Sequence, residues 1–369
     1  MKTKKRLPLF DKLVLWINCG FCLALLISYL APVTDPRKIW LIAFFGLAYP
    51  PLLLANALFI LYWLLRKNWY FLLSFTSIIC GLGVLYNNIG FRTDKNSDRA
   101  HSQNLRVMTY NVHNFKKFGS NKDISTKHEI LQLIEEQHPD VIGFQEFYSR
   151  KKGQYDMIDS IKKIMRSESY YLESFNANND ELMGMAIFSK YPIINTGLIR
   201  LSDEIFSGNQ CLYTDVKKDN RIIRLYSVHL QSIQFEPQDY KYLDTVTSGL
   251  TNIHSIAHLG TKLKRAFLKR AEQVFKVKAH AKQCPYPYII SGDFNDTPTS
   301  FAVNQMEKGL KNAFSEKGAG LGRTYNGDFP NYQIDYIMTT QQFNITGYQI
   351  IQKKLSDHYP IVSDLLLRQ

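Results

Sequence analysis

YIISGDFNDTP, residues 288–298, decides the fold. It opens with the β-branched and aromatic residues of a buried strand, then sets Asp293 and Asn295 where the apolar run gives out. Polar groups collected at the end of a buried strand are poised for chemistry. Alone they read equally well as turn residues, because Asn and Asp favour turns. Moving outward, the same ending recurs. LRVMTYNV (105–112) reaches Asn111, DVIGFQE (140–146) reaches Gln145 and Glu146, and RLYSVHL (224–230) reaches His229. YQIDYIM (332–338) carries Asp335, and Asp357 leads into HYPIVSDLLL (358–367), which opens on His358; GMAIFSKYPI (184–193) is one more strand-like run. Helical spacing marks Thr126–His138, Tyr155–Arg166 and Lys262–Ala281, through sets such as Ile130, Leu133, Ile134 and Phe267, Leu268, Ala271, Val274. From Leu105 onward the chain is therefore α/β, without internal repeats.

The first 91 residues differ in kind. Three apolar runs, at about 13–31, 39–65 and 69–91, are each long enough to cross a bilayer as a helix, which takes roughly 20 residues. They predict an N-terminal bundle of about three transmembrane helices. Pro50-Pro51 should kink the second, and a re-entrant second segment is the alternative. Residues 92–103 are polar and read as a tether, leaving 104–369 as the catalytic domain. Lys2, Lys4, Lys5, Arg6 and Lys12 before the first run, with Arg66 and Lys67 after the second, favour the cytoplasmic side. A multi-pass cell-membrane protein with an extracytoplasmic catalytic domain is expected. Arg37-Lys38 in the opposite loop runs against that orientation, and a re-entrant second run would reverse it. No small-x-small site closes the first run, so a cleaved signal peptide fits poorly.

Charge excludes little. Of a net +13, residues 1–100 hold 12 of 45 Lys and Arg and 4 of 32 Asp and Glu, leaving 33 basic against 28 acidic, or +5, beyond them. That excess suits an anionic ligand and equally a solvated basic surface. Five cysteines impose no disulfide or structural zinc: Cys19 and Cys22 read as fillers in an apolar helix, and a Cys211–Cys284 bridge stays open.

MTYNVHNF, DVIGFQEF, GMAIFSKYPI, YSVHLQS, ISGDFND, IDYIM and SDHYPI occur in one order across about residues 104–369. In that order they resemble the endonuclease/exonuclease/phosphatase superfamily, which includes deoxyribonucleases, neutral sphingomyelinases, inositol-polyphosphate phosphatases and deadenylases. The resemblance implies two sheets packed face to face with helices outside, and metal-dependent hydrolysis of phosphate esters. By position it implies Glu146 as the principal metal ligand, Asn111 assisting at the metal or the phosphate, and Asp357 as a further ligand. It implies His358 as the catalytic histidine oriented by Asp335, Asp293 as the carboxylate that handles the water or leaving-oxygen proton, and Asn295 and His229 as donors to phosphoryl oxygens. The acid and base roles of Asp293 and His358 are left interchangeable. Carboxylate and amide oxygens suit magnesium, or manganese, better than soft metals.

The substrate is undecided between a lipid headgroup and a nucleic acid, and no protein partner is inferable. VHL, where abasic-site endonucleases tend to carry a tyrosine and a Pro-Asn pair, disfavours DNA repair. A non-catalytic phosphate-binding domain is disfavoured because every catalytic position keeps its chemistry. Glu181 is an approximate match for the glutamate that deoxyribonucleases pair with the middle histidine. The stretch 231–265 reads mainly as a surface excursion into an amphipathic helix; alternatively Tyr240, Tyr242, Lys262, Lys264 and Arg265 form a lid. His254 and His258 lack an acidic companion nearby and read as an exposed helical face.

Overall fold

Five helices precede the sheets: α1 (Leu9–Ser28), α2 (Leu41–Leu47), α3 (Tyr49–Leu65), α4 (Phe71–Cys80) and α5 (Leu82–Asn88). This computed structural model describes residues 7–92, 104–116, 125–204, 207–233, 239, 253–327 and 332–368, the side chains of 253–255 excepted. Only α1 is by itself long and apolar enough to cross a membrane among the described residues; up to three spans result if each bent pair counts as one. The second and third apolar runs are thus not continuous helices as expected. They break by 62° between α2 and α3 and by 71° between α4 and α5. The first break precedes the prolines, which occupy the opening turn of α3, where a missing N–H costs nothing. The second falls at Gly81, where a Cβ would overlap the ring of Tyr29.

Polar side chains fasten the bundle inside. Asn18 donates to Ser74 Oγ (2.7 Å), Ser74 to Asn56 Oδ1 (2.9 Å) and Trp63 to Asn18 Oδ1 (2.9 Å), all buried. Cys22 joins this network at Asn56 and Cys19 is exposed, so the CxxC spacing builds no joint site. Asp11 of α1 pairs with Arg66 just past α3 at 2.6 Å, which puts the start of α1 beside the end of α3.

The remaining strands are β1 (Gly90–Phe91), β2 (Leu105–Asn111), β3 (Val141–Arg150), β4 (Tyr170–Ala177), β5 (Glu181–Ser189), β6 (Ile193–Arg200), β7 (Gln210–Lys218), β8 (Arg221–His229), β9 (Tyr288–Asp293), β10 (Lys311–Asn312), β11 (Ala319–Gly320), β12 (Asp335–Thr339), β13 (Phe343–Ile350) and β14 (Ile361–Leu367). They form two six-stranded sheets, β13-β14-β2-β3-β5-β4 and β10-β12-β9-β8-β7-β6, plus the small pair β1-β11. Among the described residues only β2/β3 and β8/β9 run parallel. The inner faces meet over a core that includes Val107, Ile187, Leu212, Leu225, Ile289 and Ile337. Such two-sided burial gives these strands near-continuous apolar runs. Gly143 lets the sheets approach, because a Cβ there would lie 2.8 Å from Ser227 Oγ.

Helices α6 (Ser125–Gln137) and α7 (Met157–Met165) cover the first sheet, and α8 (Ile253–Lys282) and α9 (Phe301–Glu307) the second; α10 (Ala313–Lys317) packs Ala313 and Phe314 into the central core. Cys211 is buried and Cys284 partly so, and both are free thiols. The helical region docks directly on α8, on the loop before α9 and on β11. Phe44 meets Phe267 edge-on at 5.3 Å, Lys264 lies 4.4 Å over Trp40, Asn88 donates to Thr299 (3.0 Å), and β1 pairs with β11. Of the expected tether, only Arg92 lies within the described residues.

Candidate active site

Strand register assembles the site. The parallel pairs set Asn111 beside Gln145 and His229 beside Asp293, and antiparallel β9/β12 sets Asp335 beside Asp293. Two local distortions aim the side chains. The β3/β5 register slips between Phe144 and Phe147, and Glu146 takes φ +50°, a bulge that brings Glu146 to the cavity wall. Gly292 takes φ +140°, and a Cβ there would overlap the Val228 backbone, so this position of β9, one residue before Asp293, admits only glycine.

Asn111, Glu146, His229, Asp293, Asn295, Asp357 and His358 line one cavity of about 240 Å³. Asp335, the eighth residue singled out in the sequence, is buried behind His358. Its Oδ2 accepts from His358 Nδ1 at 2.9 Å, leaving Nε2 3.7 Å from Asp293 Oδ2. His229 Nε2 approaches the same oxygen at 3.6 Å, and its buried Nδ1 has no hydrogen-bond partner among the described residues. Asn111 and Asn295 each donate to Asp293 Oδ2 at 3.1 Å, and the Asn295 backbone N–H donates to Oδ1 at 2.8 Å. Asn295 also donates to Leu230 O (3.1 Å), so both hydrogens of its amide are used within the protein.

The electrostatics are polarised. Burial opposes a charge on His358, but the Asp335 and Asp293 carboxylates outweigh it and hold its pKa well above the usual histidine value. Burial pushes Asp293 upward, with Asp335 adding to the rise and His358 and His229 opposing it. Glu146 goes the other way. Burial would raise it, yet the hydrogen bond from His113 and the neighbouring histidine charges bring it down to about 2.

His113 was not singled out in the sequence. It sits in a short 3-10 turn with φ +42° and places Nδ1 3.5 Å from Glu146 Oε2 and 3.7 Å from Asp357 Oδ1. Two carboxylates converging on one imidazole make a place for positive charge, and with the Asn111 amide oxygen they offer the hard oxygen donors that magnesium prefers. A second candidate set is Asp293, Asp335 and His358, with ligand atoms within 4.8 Å of one another. There, however, His358 Nδ1 and Asp335 are already bonded to each other.

Arg270 was also missed. This α8 side chain is 1 % exposed and lines the cavity; it donates to Gln231 O at 2.7 Å and pairs with Asp296 at 3.3 Å. Other expectations shift. Glu181 pairs with Arg150 (2.7 Å), on β3, and not with His229. Lys262 bonds buried Asp239 (2.5 Å), Lys264 covers Trp40 and Arg265 faces Glu204 (3.5 Å); none of the three lines the cavity, to which Leu263 and Phe267 contribute instead. His258 has an acidic companion after all, Asp239 at 3.0 Å, brought in from upstream by the fold. Tyr240, Tyr242 and the His254 side chain lie outside the described residues.

Comparison with known proteins agrees with this geometry. Residues 11–88 match a domain of unknown function (DUF8431), and residues 108–358 match the model of the Endonuclease/Exonuclease/phosphatase family. No curated protein matches the chain. Similar solved structures include an endonuclease/exonuclease/phosphatase from Bacteroides vulgatus (16% identity, 72% of this chain and 99% of that one, TM-score 0.52). Another is a family protein from Bacteroides thetaiotaomicron (18%, 72% and 98%, TM-score 0.51). A third comes from Beutenbergia cavernae (18%, 72% and 72%, TM-score 0.50). At these identities the likeness speaks to fold, and the family match over most of the chain speaks to class: this protein belongs to the endonuclease/exonuclease/phosphatase family of hydrolases.

Proposed function

We propose that the chain is a membrane-anchored, divalent-metal-dependent phosphoesterase whose attacking water and leaving oxygen are served by Asp293 and His358. The observation that carries this reading is the Asp335–His358–Asp293 line at the wall of a cavity also lined by Glu146, Asp357, Asn111 and His229. Asp335 fixes the His358 tautomer with the proton on Nδ1 and stabilises the imidazolium. A histidine held protonated suits the acid, and a buried carboxylate pushed upward suits the base, so Asp293 takes the proton of water and His358 gives one to the leaving oxygen. Asn295, its amide engaged within the protein, aims Asp293. His229 Nε2 and Asn111, whose bond to Glu146 is a long 3.4 Å, meet the phosphoryl oxygens. Magnesium or manganese held by Glu146, Asp357 and Asn111 would supply Lewis-acid neutralisation of phosphoryl charge.

The same proposal takes residues 1–91 as the membrane region, 92–103 as the tether and 104–369 as the catalytic domain. Lys12 and Arg66 sit at the end of the bundle away from the sheets, since Asp11 ties the start of α1 to the end of α3 while Asn88 and Gly46 meet Thr299 at the other end. That supports an extracytoplasmic catalytic domain. Arg37, which runs against the charge rule, pairs with Asp35 (2.6 Å) and stacks on Phe275 of α8 (4.9 Å).

The test is hydrolysis of bis(4-nitrophenyl) phosphate, 4-nitrophenyl phosphate, DNA and RNA by the full chain in detergent, with and without magnesium. We expect magnesium-dependent turnover of at least one phosphoester, reversibly abolished by EDTA and absent in His358→Ala. Undiminished turnover by folded His358→Ala would overturn the assignment.

A further inference from the structure

Beside the catalytic cavity lies a second, larger one of about 690 Å³, between α3 and the loops of the catalytic domain. Pro51, Leu54 and Ala57 form one wall, and Pro298 and Leu321 face them. Leu54 begins a row, Leu54, Leu58, Leu61 and Leu65, spaced four, three and four residues apart and more than half exposed throughout. That spacing is one face of a helix, so the apolar surface runs without interruption from the length of α3 into this groove. The groove then adjoins the site. Tyr332 lines both cavities, its carbonyl accepts from the N–H groups of Thr324 and Tyr325 (3.2 and 3.0 Å), and the Tyr325 ring packs edge-on against His358 at 5.4 Å.

The groove also carries polar groups without protein partners. Gln333 is 3 % exposed, yet neither its amide oxygen nor its amide nitrogen has a hydrogen-bond partner among the described residues, and the same holds for the hydroxyl of buried Tyr49. Buried polar groups are almost always bonded, so such a cluster marks a place for a ligand's own polar atoms. Arg323, exposed at the rim, adds a positive charge.

We infer that this groove binds the acyl chain of a membrane-resident phosphoester, with the ester and glycerol-like portion at Gln333 and Tyr49 and the phosphate turned past Tyr332 toward His358. The inference rests on the membrane-anchored phosphoesterase reading and narrows its substrate to a lipid. The Leu54–Leu65 row faces the tails of the bilayer, and one tail follows it into the groove. A nucleic acid has no apolar chain to fill the space.

The test uses the full chain in phosphatidylcholine vesicles with a lysophospholipid carrying a diazirine in its acyl chain. Ultraviolet labelling should concentrate on segments 49–57 and 321–333 and be competed by unlabelled lysophospholipid, not by glycerophosphocholine. Ala57→Trp fills the groove from an exposed position, so it should abolish that labelling and raise KM for the lysophospholipid by about ten-fold or more, the scale of methylenes excluded from an apolar pocket. The circular dichroism spectrum and melting temperature of Ala57→Trp should match those of the parent chain. Gln333→Leu, which removes the unpartnered amide, should weaken labelling without lowering the melting temperature. Labelling spread evenly along α1 and α3 and indifferent to Ala57→Trp would overturn the groove assignment. Groove labelling without hydrolysis of any phosphoester would leave that assignment standing and overturn the phosphoesterase reading instead.

Discussion

Replacing Asp335 by asparagine isolates the electrostatic part of the site. The His358 Nδ1 to Asp335 Oδ2 distance is 2.9 Å with both groups buried, so the charge centres lie about 4 Å apart. At an effective dielectric near 20 the coupling is about 4 kcal/mol, and a neutral asparagine hydrogen bond keeps about 1 kcal/mol of it. A net loss of about 3 kcal/mol corresponds to about two pKa units at His358 and a rate about 100-fold lower. The sign follows from the direction of the shift. An acid held well above the ordinary histidine value stays protonated through neutrality and stops working as pH rises through its raised pKa. In Asp335→Asn the alkaline limb of the kcat profile should therefore move to lower pH by about two units. The assay is magnesium-dependent hydrolysis of bis(4-nitrophenyl) phosphate from pH 5 to 10, with circular dichroism to confirm folding. An unmoved alkaline limb and a loss of less than about three-fold, under 1 kcal/mol, would refute the reasoning.

Glu146→Gln should weaken magnesium binding in titration calorimetry by at least about 10-fold, with activity falling in step. The Glu146 carboxyl is depressed to about 2, so its stabilisation is full above the ordinary glutamate range and is lost as pH falls through about 2. The acid limb of unfolding should accordingly be shallower in Glu146→Gln, and an identical limb would contradict that direction. Arg270→Met leaves Asp296 buried without its cation and should cost about 3–5 kcal/mol of stability in urea unfolding. Adding Asp296→Asn should recover part of the loss; equal stability of the single and double variants would show that the pair is not coupled.

Much of this was legible in the chain because strands buried on both faces are apolar until they end, and their ends are where Asn111, His229 and Asp293 stand, while Glu146 closes an apolar run at the bulge inside β3. The three helical patterns expected after residue 125 are present, the last extended back to Ile253. Strands β4, β6, β7 and β13 were not picked out: YYLESFNA, IINTGLIR and FNITGYQI carry polar residues on part-exposed faces, and QCLYTDVKK buries Gln210, Thr214 and Asp215 within the strand, so none shows a clean apolar run. His113 escaped because its position comes from a left-handed turn that no local pattern signals. Arg270 escaped for the opposite reason: LKRAFLKRAE reads as a solvated helical face, and Asp296 and the Gln231 carbonyl, both supplied by other segments, make burial of that guanidinium tolerable. The expected kink at Pro50-Pro51 falls at Ala48 instead, because proline is tolerated in a first turn, and the break at Gly81 was not expected at all; glycine there yields to the neighbouring Tyr29 ring.

Leu47 of α2 forms part of the wall of the catalytic cavity, and Gly46 beside it admits the Thr299 carbonyl within 3.2 Å of where a Cβ would stand. Helical region and hydrolase therefore share one surface, and the mouth of the cavity sits at a set height over the ends of the helices. With α1 in a bilayer, the enzyme has a fixed reach. A phosphoester floating in bulk water must arrive through the third dimension, whereas one carried in the same leaflet meets the mouth by lateral diffusion, and its rate scales with surface density instead of molarity.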